Sequence, residues 1–415
     1  MAAKLERFSQ KQLQVLAWWC AGSPWQDRTA IICDGAVRSG KTLCLGLGFI
    51  TWAFYAFEGR AFAVCGKTIR SVKRNLIATL LPVLEANGFH CALHHSENRL
   101  HVRCGERKND FYLFGGRDEG SSALIQGMTL AGVLLDEVAL MPRSFVEQAL
   151  ARCSLEGSRF WFNCNPEGPQ HWFYQEWIRK AEEKKALHLH FRMEDNPSLS
   201  TEMRRRYESL YSGTFYERFI LGSWTAAQGL VYPFMDAGIF TDPPENCRAY
   251  RVSCDYGTAN PCSIGLWGLS ENTWYRIDEY YFDSRREGYQ KTDEEHYRAL
   301  EALCGQHEVE WVVVDPSAAS FIQTIRRHGR FVVIPAVNDV MDGIRRVSVV
   351  LKEGRVRICR GCRDAVREFG LYRWNDSRAA DTPKKENDHA MDDIRYFVAQ
   401  LEEEEDFWAT AAVRR

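Results

Sequence analysis

The chain has 415 residues, 45% of them apolar and 26% charged, and carries a formal net charge of −2. That length exceeds what one ordinary core serves and predicts two domains, while the near-neutral sum excludes a protein that coats nucleic acid by bulk positive charge. Its 14 Cys are expected to be reduced thiols, because Met1 to Cys20 is charged and lacks the apolar core of an export signal, and Cys359-x-x-Cys362 has no second pair at zinc-ribbon spacing.

Phe8-Ser9-Gln10-Lys11-Gln12 reads as an N-capped helix or as an adenine clamp, since a Gln amide matches the N6/N7 edge of adenine. Thr29 to Asp34 reads as a buried strand and Leu43 to Phe57 as a buried helix, too short for the ~20 residues that span a bilayer. Between them, Gly35-Ala36-Val37-Arg38-Ser39-Gly40-Lys41-Thr42 is G-x-x-x-x-G-K-T without deviation. In such a loop backbone N–H groups wrap the β- and γ-phosphates, Lys41 supplies a charge, Thr42 offers its hydroxyl to Mg²⁺, and the helix N-terminus adds its positive end. Gly35, Arg38, Ser39, Gly40, Lys41 and Thr42 form the predicted ATP-binding set, with Arg38 placed to touch phosphate oxygens or a catalytic carboxylate.

Ala61 to Cys65 reads as a strand, Ser71 to Asn87 as a helix, and Leu100 to Cys104 with Asp110 to Phe114 as a hairpin. Arg117 is a candidate arginine finger for a neighbouring copy. Gly132 to Asp136 is a further buried strand, ending in Asp136-Glu137. A strand-end Asp136 can hold Mg²⁺ through water, and Glu137 can polarise the attacking water. The strand Arg159 to Asn163 runs into Asn163-Cys164-Asn165-Pro166, where Asn163 or Asn165 can sense the γ-phosphate and pass its loss to a moving part. Strand–helix alternation of this kind predicts a largely parallel sheet with helices on both faces.

Ser223 to Cys247 has no period and is punctuated by Gly229, Pro233, Pro243 and Pro244. The predicted organisation is therefore a domain over 1–225, a linker over 226–247 and a second α/β domain over 248–415. In the latter, Arg251 to Asp255, Ser263 to Gly268, Thr273 to Tyr281 and Glu310 to Asp315 read as strands, and Asn387 to Glu402 as a closing helix. No phosphate loop occurs there. Asp255 and Asp315 end strands, and Asp392 shares a helix face with His389, three residues earlier. Two strand-end carboxylates and one from a packed helix can converge on a pair of Mg²⁺ or Mn²⁺ ions ~4 Å apart, the arrangement that hydrolyses phosphodiesters. Helical phase leaves Asp388 and Asp393 open as alternatives to Asp392, and His389 open as a ligand or a water-orienting group.

Taken together, these motifs resemble the large terminase subunit of tailed bacteriophages. The resemblance rests on Gly35 to Thr42, Gly127-Met128-Thr129-Leu130-Ala131-Gly132 leading into Asp136-Glu137, Asn163 to Pro166 with His171-Trp172, Gly222-Ser223-Trp224 with Gly229 to Tyr232, Asp255-Tyr256-Gly257, and Asp388 to Tyr396. It implies an N-terminal P-loop ATPase followed by a C-terminal ribonuclease-H-like nuclease that cuts concatemeric DNA. It further implies coupling through Asn163 to Pro166, metal binding by Asp255, Asp315 and Asp392, and a role for His389 found in only part of the family. Double-stranded DNA, the portal ring of the procapsid and a small terminase subunit are the implied partners. A homo-oligomeric ring on the portal, or a monomer in isolation, is the expected state. The expected setting is the host cytoplasm, transiently docked on the procapsid and with no membrane. Two competing readings remain. One is a helicase-like translocase with a nuclease, although Val138-Ala139 follows Asp136-Glu137 where such enzymes read D-E-x-H or D-E-x-D. The other is a scaffold with a relic nucleotide site, which the intact Lys41, Thr42 and Glu137 oppose.

Overall fold

The chain's computed structural model describes residues 8–235, 240–258, 260–375 and 381–412, with side chains described through residue 401. The chain divides into two compact units, Met1–Glu208 with Thr214–Ala226, and Ser209–Gly213 with Ala227–Arg415.

The first unit is built on eight strands: β1 (Ala30–Gly35), β2 (Ala61–Gly66), β3 (His90–His94), β4 (Arg99–Cys104), β5 (Arg107–Gly115), β6 (Gly132–Leu135), β7 (Arg159–Asn163) and β8 (Ala186–Phe191). They form one sheet in the order β3-β4-β5-β2-β6-β7-β1-β8. The strands from β5 to β8 run parallel, and β3-β4-β5 is an antiparallel margin. β1 is buried at every position, which is what a six-residue strand covered on both faces requires. One face packs the helix Lys41–Ala56, whose Phe49 and Trp52 meet Trp161 at ring-centroid distances of 5.1 and 4.5 Å. The other face packs Phe145, Val146, Phe173 and Trp177 against Phe162 and Leu135. The expected helix over Ser71 to Asn87 spans Ile69–Ala86 and contains a π-helical segment, Val72–Ile77.

The second unit holds β9 (Phe240–Thr241), β10 (Ala249–Asp255), β11 (Cys262–Ser270), β12 (Thr273–Phe282), β13 (Val309–Val314), β14 (Val333–Pro335) and β15 (Val356–Cys359). Their order is β14-β13-β10-β11-β12-β15-β9. β10-β11-β12 is an antiparallel meander flanked by parallel strands, the ribonuclease-H-like pattern. The helix His389–Ala412 lies on this sheet, with Phe397 stacked on Trp267 at 3.9 Å. The acidic run Glu402 to Asp406 falls outside the residues whose side chains are described.

The expected linker 226–247 needs correction over its described residues. Val231 and Tyr232 are buried in the second unit, where Tyr232 packs on Phe369 and Tyr372. Phe240–Thr241 adds a strand beside β15. The segment lacks a period, yet an apolar wall exists for its two large side chains, and burying them outweighs the turn residues around them. Residues 236–239 lie outside the described residues.

Candidate functional site

The phosphate loop joins the end of β1 to the helix Lys41–Ala56. Gly40 takes φ +85° at the helix N-cap, a conformation that favours glycine, and a Cβ there would sit 2.4 Å from the amide nitrogen of Gln12 and displace it. Gln12 is itself held by the capping box of the helix Gln10–Ala17, its Oε1 accepting from Ser9 N at 2.9 Å. The Phe8–Gln12 segment thus forms the N-capped helix and rests on the loop.

Lys41 is 5% exposed. Its Nζ donates to the carbonyls of Gly35 (3.0 Å) and Ala36 (2.6 Å), to Ser39 Oγ (3.2 Å) and to Asn165 Oδ1 (3.3 Å). Burial pushes its ammonium down to about 8. Thr42, Asn163 and Asp136 form a triangle, in which Asn163 Nδ2 donates to Thr42 Oγ1 (2.9 Å) and to Asp136 Oδ1. Burial raises the Asp136 carboxyl, against hydrogen bonds from Asn163 and Thr42 and the nearby Lys41 charge. The Oδ1 of Asn163 is buried without a hydrogen-bond partner among the described residues. A desolvated carboxylate after β6, a hydroxyl on the helix Lys41–Ala56 and an orphaned amide oxygen at the end of β7 match the donor chemistry of Mg²⁺. Glu137 follows at φ +58° and is half-buried. A left-handed conformation at a non-glycine residue costs of order 1–3 kcal/mol and clusters at functional positions.

In the second unit Asp255, Asp315, Asp392, Asp388 and His389 line one cavity of about 790 Å³. Asp255 Oδ2 accepts from His389 Nδ1 at 2.7 Å. Asp315 accepts from Ser317 N (2.7 Å), Asn338 Nδ2 (2.9 Å) and Tyr396 OH (2.9 Å), and Asp392 from Arg395 Nη2 (2.9 Å). Burial, and then the Asp392 charge, push Asp255 up to about 7 against the pull of His389. Burial opposes a raised His389, but Asp255 and Asp388 overcome it. Ser317 and Tyr396 hold Asp315 below the usual range in spite of its burial. Crowded carboxylates of this kind are relieved by a hard cation. As the side chains stand, no three acidic, His or Cys groups among the described residues are gathered closely enough for one ion. Holding one ion there would therefore require these side chains to draw closer together.

Residues 32–239 match the family model for the N-terminal part of the T4likevirus-type terminase large subunit. The large terminase of the thermophilic bacteriophage D6E is 46% identical, with a TM-score of 0.90, over 95% of this chain and 99% of that one. The chain belongs to the large terminase subunits. A second D6E structure, in complex with ATP-γ-S, aligns at 46% identity and a TM-score of 0.86 over 94% of this chain and 98% of that one. The large terminase subunit of Escherichia phage T5 is 22% identical over 208 residues, 48% of this chain and 45% of the T5 protein, so that match spans less than half of the relative.

Against this large-terminase frame, Gly35, Ser39, Gly40, Lys41, Thr42, Asp136, Asn163 and Asn165 come together around one loop. Arg38 stands apart from them, exposed, with its guanidinium 5.1 Å from the Tyr207 ring centroid and its carbonyl bonded to Asn196. Arg117 is exposed. Asp393 needs correction as a candidate ligand. It is fully buried, paired with Arg276 and bonded to Ser253 and Ser263 Oγ, and it does not line the cavity. The C-x-x-C pair is buried, and all 14 Cys are free thiols.

Sequence reading missed Asp34, His188, His190, Glu167 and Arg218. Asp34 ends β1 beside the loop and is 1% exposed. It accepts from His188 Nε2 (2.8 Å), His190 Nδ1 (3.2 Å) and Trp224 Nε1 (2.8 Å). Burial alone would raise its carboxyl, but the two histidines hold it below the usual range. The alternation Ala186-Leu187-His188-Leu189-His190-Phe191 was the available signal for β8, with both histidines on one face.

Proposed function

We propose that this chain is the ATP-driven DNA-packaging motor subunit of a phage, with a metal-dependent nuclease on the same polypeptide. The observation that carries the reading is the pairing of two separate sites: a phosphate loop complete from Gly35 to Thr42, backed by Asp136, Glu137 and Asn163, and a carboxylate-lined cavity in a ribonuclease-H-like unit. The nucleotide complex of the D6E relative supports ATP as the ligand of the first.

In the ATPase site, Lys41 releases the loop carbonyls and binds the β- and γ-phosphates. Thr42 and Asp136 would hold Mg²⁺, which when bound would neutralise phosphate charge. Glu137 orients the attacking water and accepts its proton. Asn165 loses Lys41 to the nucleotide, and Asn163 follows the Thr42–Asp136 pair, so both asparagines register the γ-phosphate. Arg38 swings from Tyr207 toward the phosphates. In the nuclease site Asp255, Asp315 and Asp392 would hold Mg²⁺ or Mn²⁺, which when bound would supply an activated water and stabilisation of the leaving oxygen. His389, freed from Asp255, orients the incoming water. Several copies form a ring on the portal in the host cytoplasm, and a small subunit brings the DNA.

The test is ATP hydrolysis by the full chain with and without double-stranded DNA, followed by protection of that DNA from added nuclease in the presence of procapsids. DNA is expected to stimulate hydrolysis, and ATP to be required for protection. DNA that becomes protected equally without ATP would contradict the motor reading.

The depressed Lys41 pKa gives a second expectation. A triphosphate favours the charged ammonium and raises its pKa again. Above about pH 8 the free site is largely neutral at Lys41, so binding must take up a proton and affinity must fall as pH rises. Calorimetry of ATP-γ-S binding at about pH 9, in two buffers of different ionisation enthalpy, should show uptake approaching about one proton per nucleotide, shrinking toward neutral pH.

A further inference from the structure

Residues 219–225 lie at the end of the first unit, which closes at Ala226, and the chain passes to the second at Ala227. They are tied to both walls of the nucleotide site. On the phosphate-loop side, Phe219 O accepts from Val37 N at 2.8 Å. Gly222, at φ +76°, lies so close that an added Cβ would be 3.0 Å from Ala36 N and 3.1 Å from Gly35 Cα. Trp224 Nε1 donates at 2.8 Å to Asp34, the residue before Gly35, while its ring stacks on Tyr174 at 4.9 Å. On the other side stands Arg218, with its side chain 1% exposed. It donates Nε and Nη2 to Thr225 O (3.0 and 2.5 Å) and Nη1 to Glu167 Oε2 (3.2 Å). Glu167 is two residues beyond Asn165, whose side-chain oxygen meets Lys41 Nζ.

Two routes therefore start at groups that a nucleotide must disturb and end on adjacent residues. One runs from the loop through Asp34 to Trp224. The other runs from Lys41 through Asn165 and Glu167 to Arg218 and the carbonyl of Thr225. A guanidinium buried to this degree is costly unless its partners stay in place, and its planar fork fixes their geometry. A shift of Glu167 therefore moves Thr225 or breaks the network, and does not fade by gradual bending.

We infer that Arg218 and Trp224 are positioning residues that report the occupancy of the ATP site to the segment leading into the second unit. Neither touches the nucleotide. Lys41 leaving Asn165 for the phosphates releases the Asn165–Glu167 stretch. Arg218 carries that change to Thr225 while Trp224 carries the movement of the phosphate loop, and residues 224–225 respond to both. This inference rests on ATP binding at Gly35 to Thr42, as proposed above.

Hydrogen exchange of the full chain, with and without saturating ATP-γ-S, separates the two claims. Peptides over residues 35–42 report nucleotide binding, and peptides over residues 219–228 report the coupling. In the unsubstituted chain the first should become protected, and exchange in the second should change by about fivefold or more, the lower end of ordinary coupling between sites. Trp224→Phe keeps a ring on Tyr174 but has no N–H for Asp34, and Arg218→Gln cannot reach Thr225 and Glu167 together. Both should retain protection at 35–42 and lose most of the change at 219–228, which a residue needed only for folding would not do. Protection at 35–42 with no response at 219–228 in the unsubstituted chain overturns the inference and leaves the ATP site standing, and that arm decides alone if a variant fails to fold. An undiminished response in both variants overturns it equally. No protection at 35–42 overturns the nucleotide reading, and the inference with it.

Discussion

Replacing Lys41 with alanine is expected to abolish ATP turnover while DNA cleavage in Mn²⁺ stays measurable. Lys41 is in direct contact with both the phosphate loop and Asn165. Its removal deprives the developing phosphoryl charge of a preorganised, desolvated partner. Losing a single donor of that kind costs on the order of 10²–10³ in turnover, and losing a full charge costs more. The carboxylates of the second unit belong to a different sheet and share no hydrogen bond with Lys41 among the described residues. Phosphate release and plasmid nicking, measured on the same preparation, check the dissociation. ATP turnover at the unsubstituted rate in the Lys41→Ala chain would refute the assignment of the loop.

Asp315→Ala should do the reverse. Asp315 closes β13, and its carboxylate stands in the cavity among Ser317 N, Asn338 and Tyr396, below the usual carboxylate range and so ionised at neutral pH. It is therefore ready to accept a cation without first losing a proton, whereas burial and the neighbouring Asp392 raise Asp255 and so favour its protonated form. If the proposed two-ion site holds, removing one of its three carboxylates should lower cleavage by on the order of 10³ or more, with ATP hydrolysis intact. Tyr396 and Asn338 lose one partner each, but at a partly open site the stability cost stays within about 1–3 kcal/mol. Thermal denaturation alongside the cleavage assay separates that loss from the catalytic one. Undiminished nicking by the folded variant would remove Asp315 from the site.

The two chemistries were legible to different depths. The phosphate loop was plain because strand, loop and helix are contiguous in the chain and their periodicities change where the glycines stand. The acidic pair Asp136-Glu137 was equally local. The three carboxylates of the second unit were legible only as strand ends and a helix face, and their meeting in one cavity depends on β10 pairing with β13 and on the closing helix lying across both. Helical phase could not separate Asp392 from Asp393, because both neighbours of Ile394 and Phe397 can turn inward. What separates them is Arg276 on β12, together with Ser253 and Ser263, which meet Asp393 only once β10, β11 and β12 are paired. β8 was missed for a related reason. Its two histidines break an apolar run, and their partner Asp34 is more than 150 residues away in the chain. The antiparallel margin strand β3 escaped because its residues alternate between exposed and half-exposed, with no buried run to mark them.

The central claim is that one chain carries a triphosphate site and a distinct carboxylate site for divalent cations. Anomalous scattering from crystals of the full chain soaked in Mn²⁺ and ATP-γ-S tests it most directly. The account predicts manganese between Asp255, Asp315 and Asp392, with His389 and Arg395 turned away from those carboxylates, and a further manganese beside Thr42 and Asp136 at the nucleotide. Manganese at the nucleotide alone, with Asp255 still bonded to His389 and Asp392 still bonded to Arg395, would contradict it.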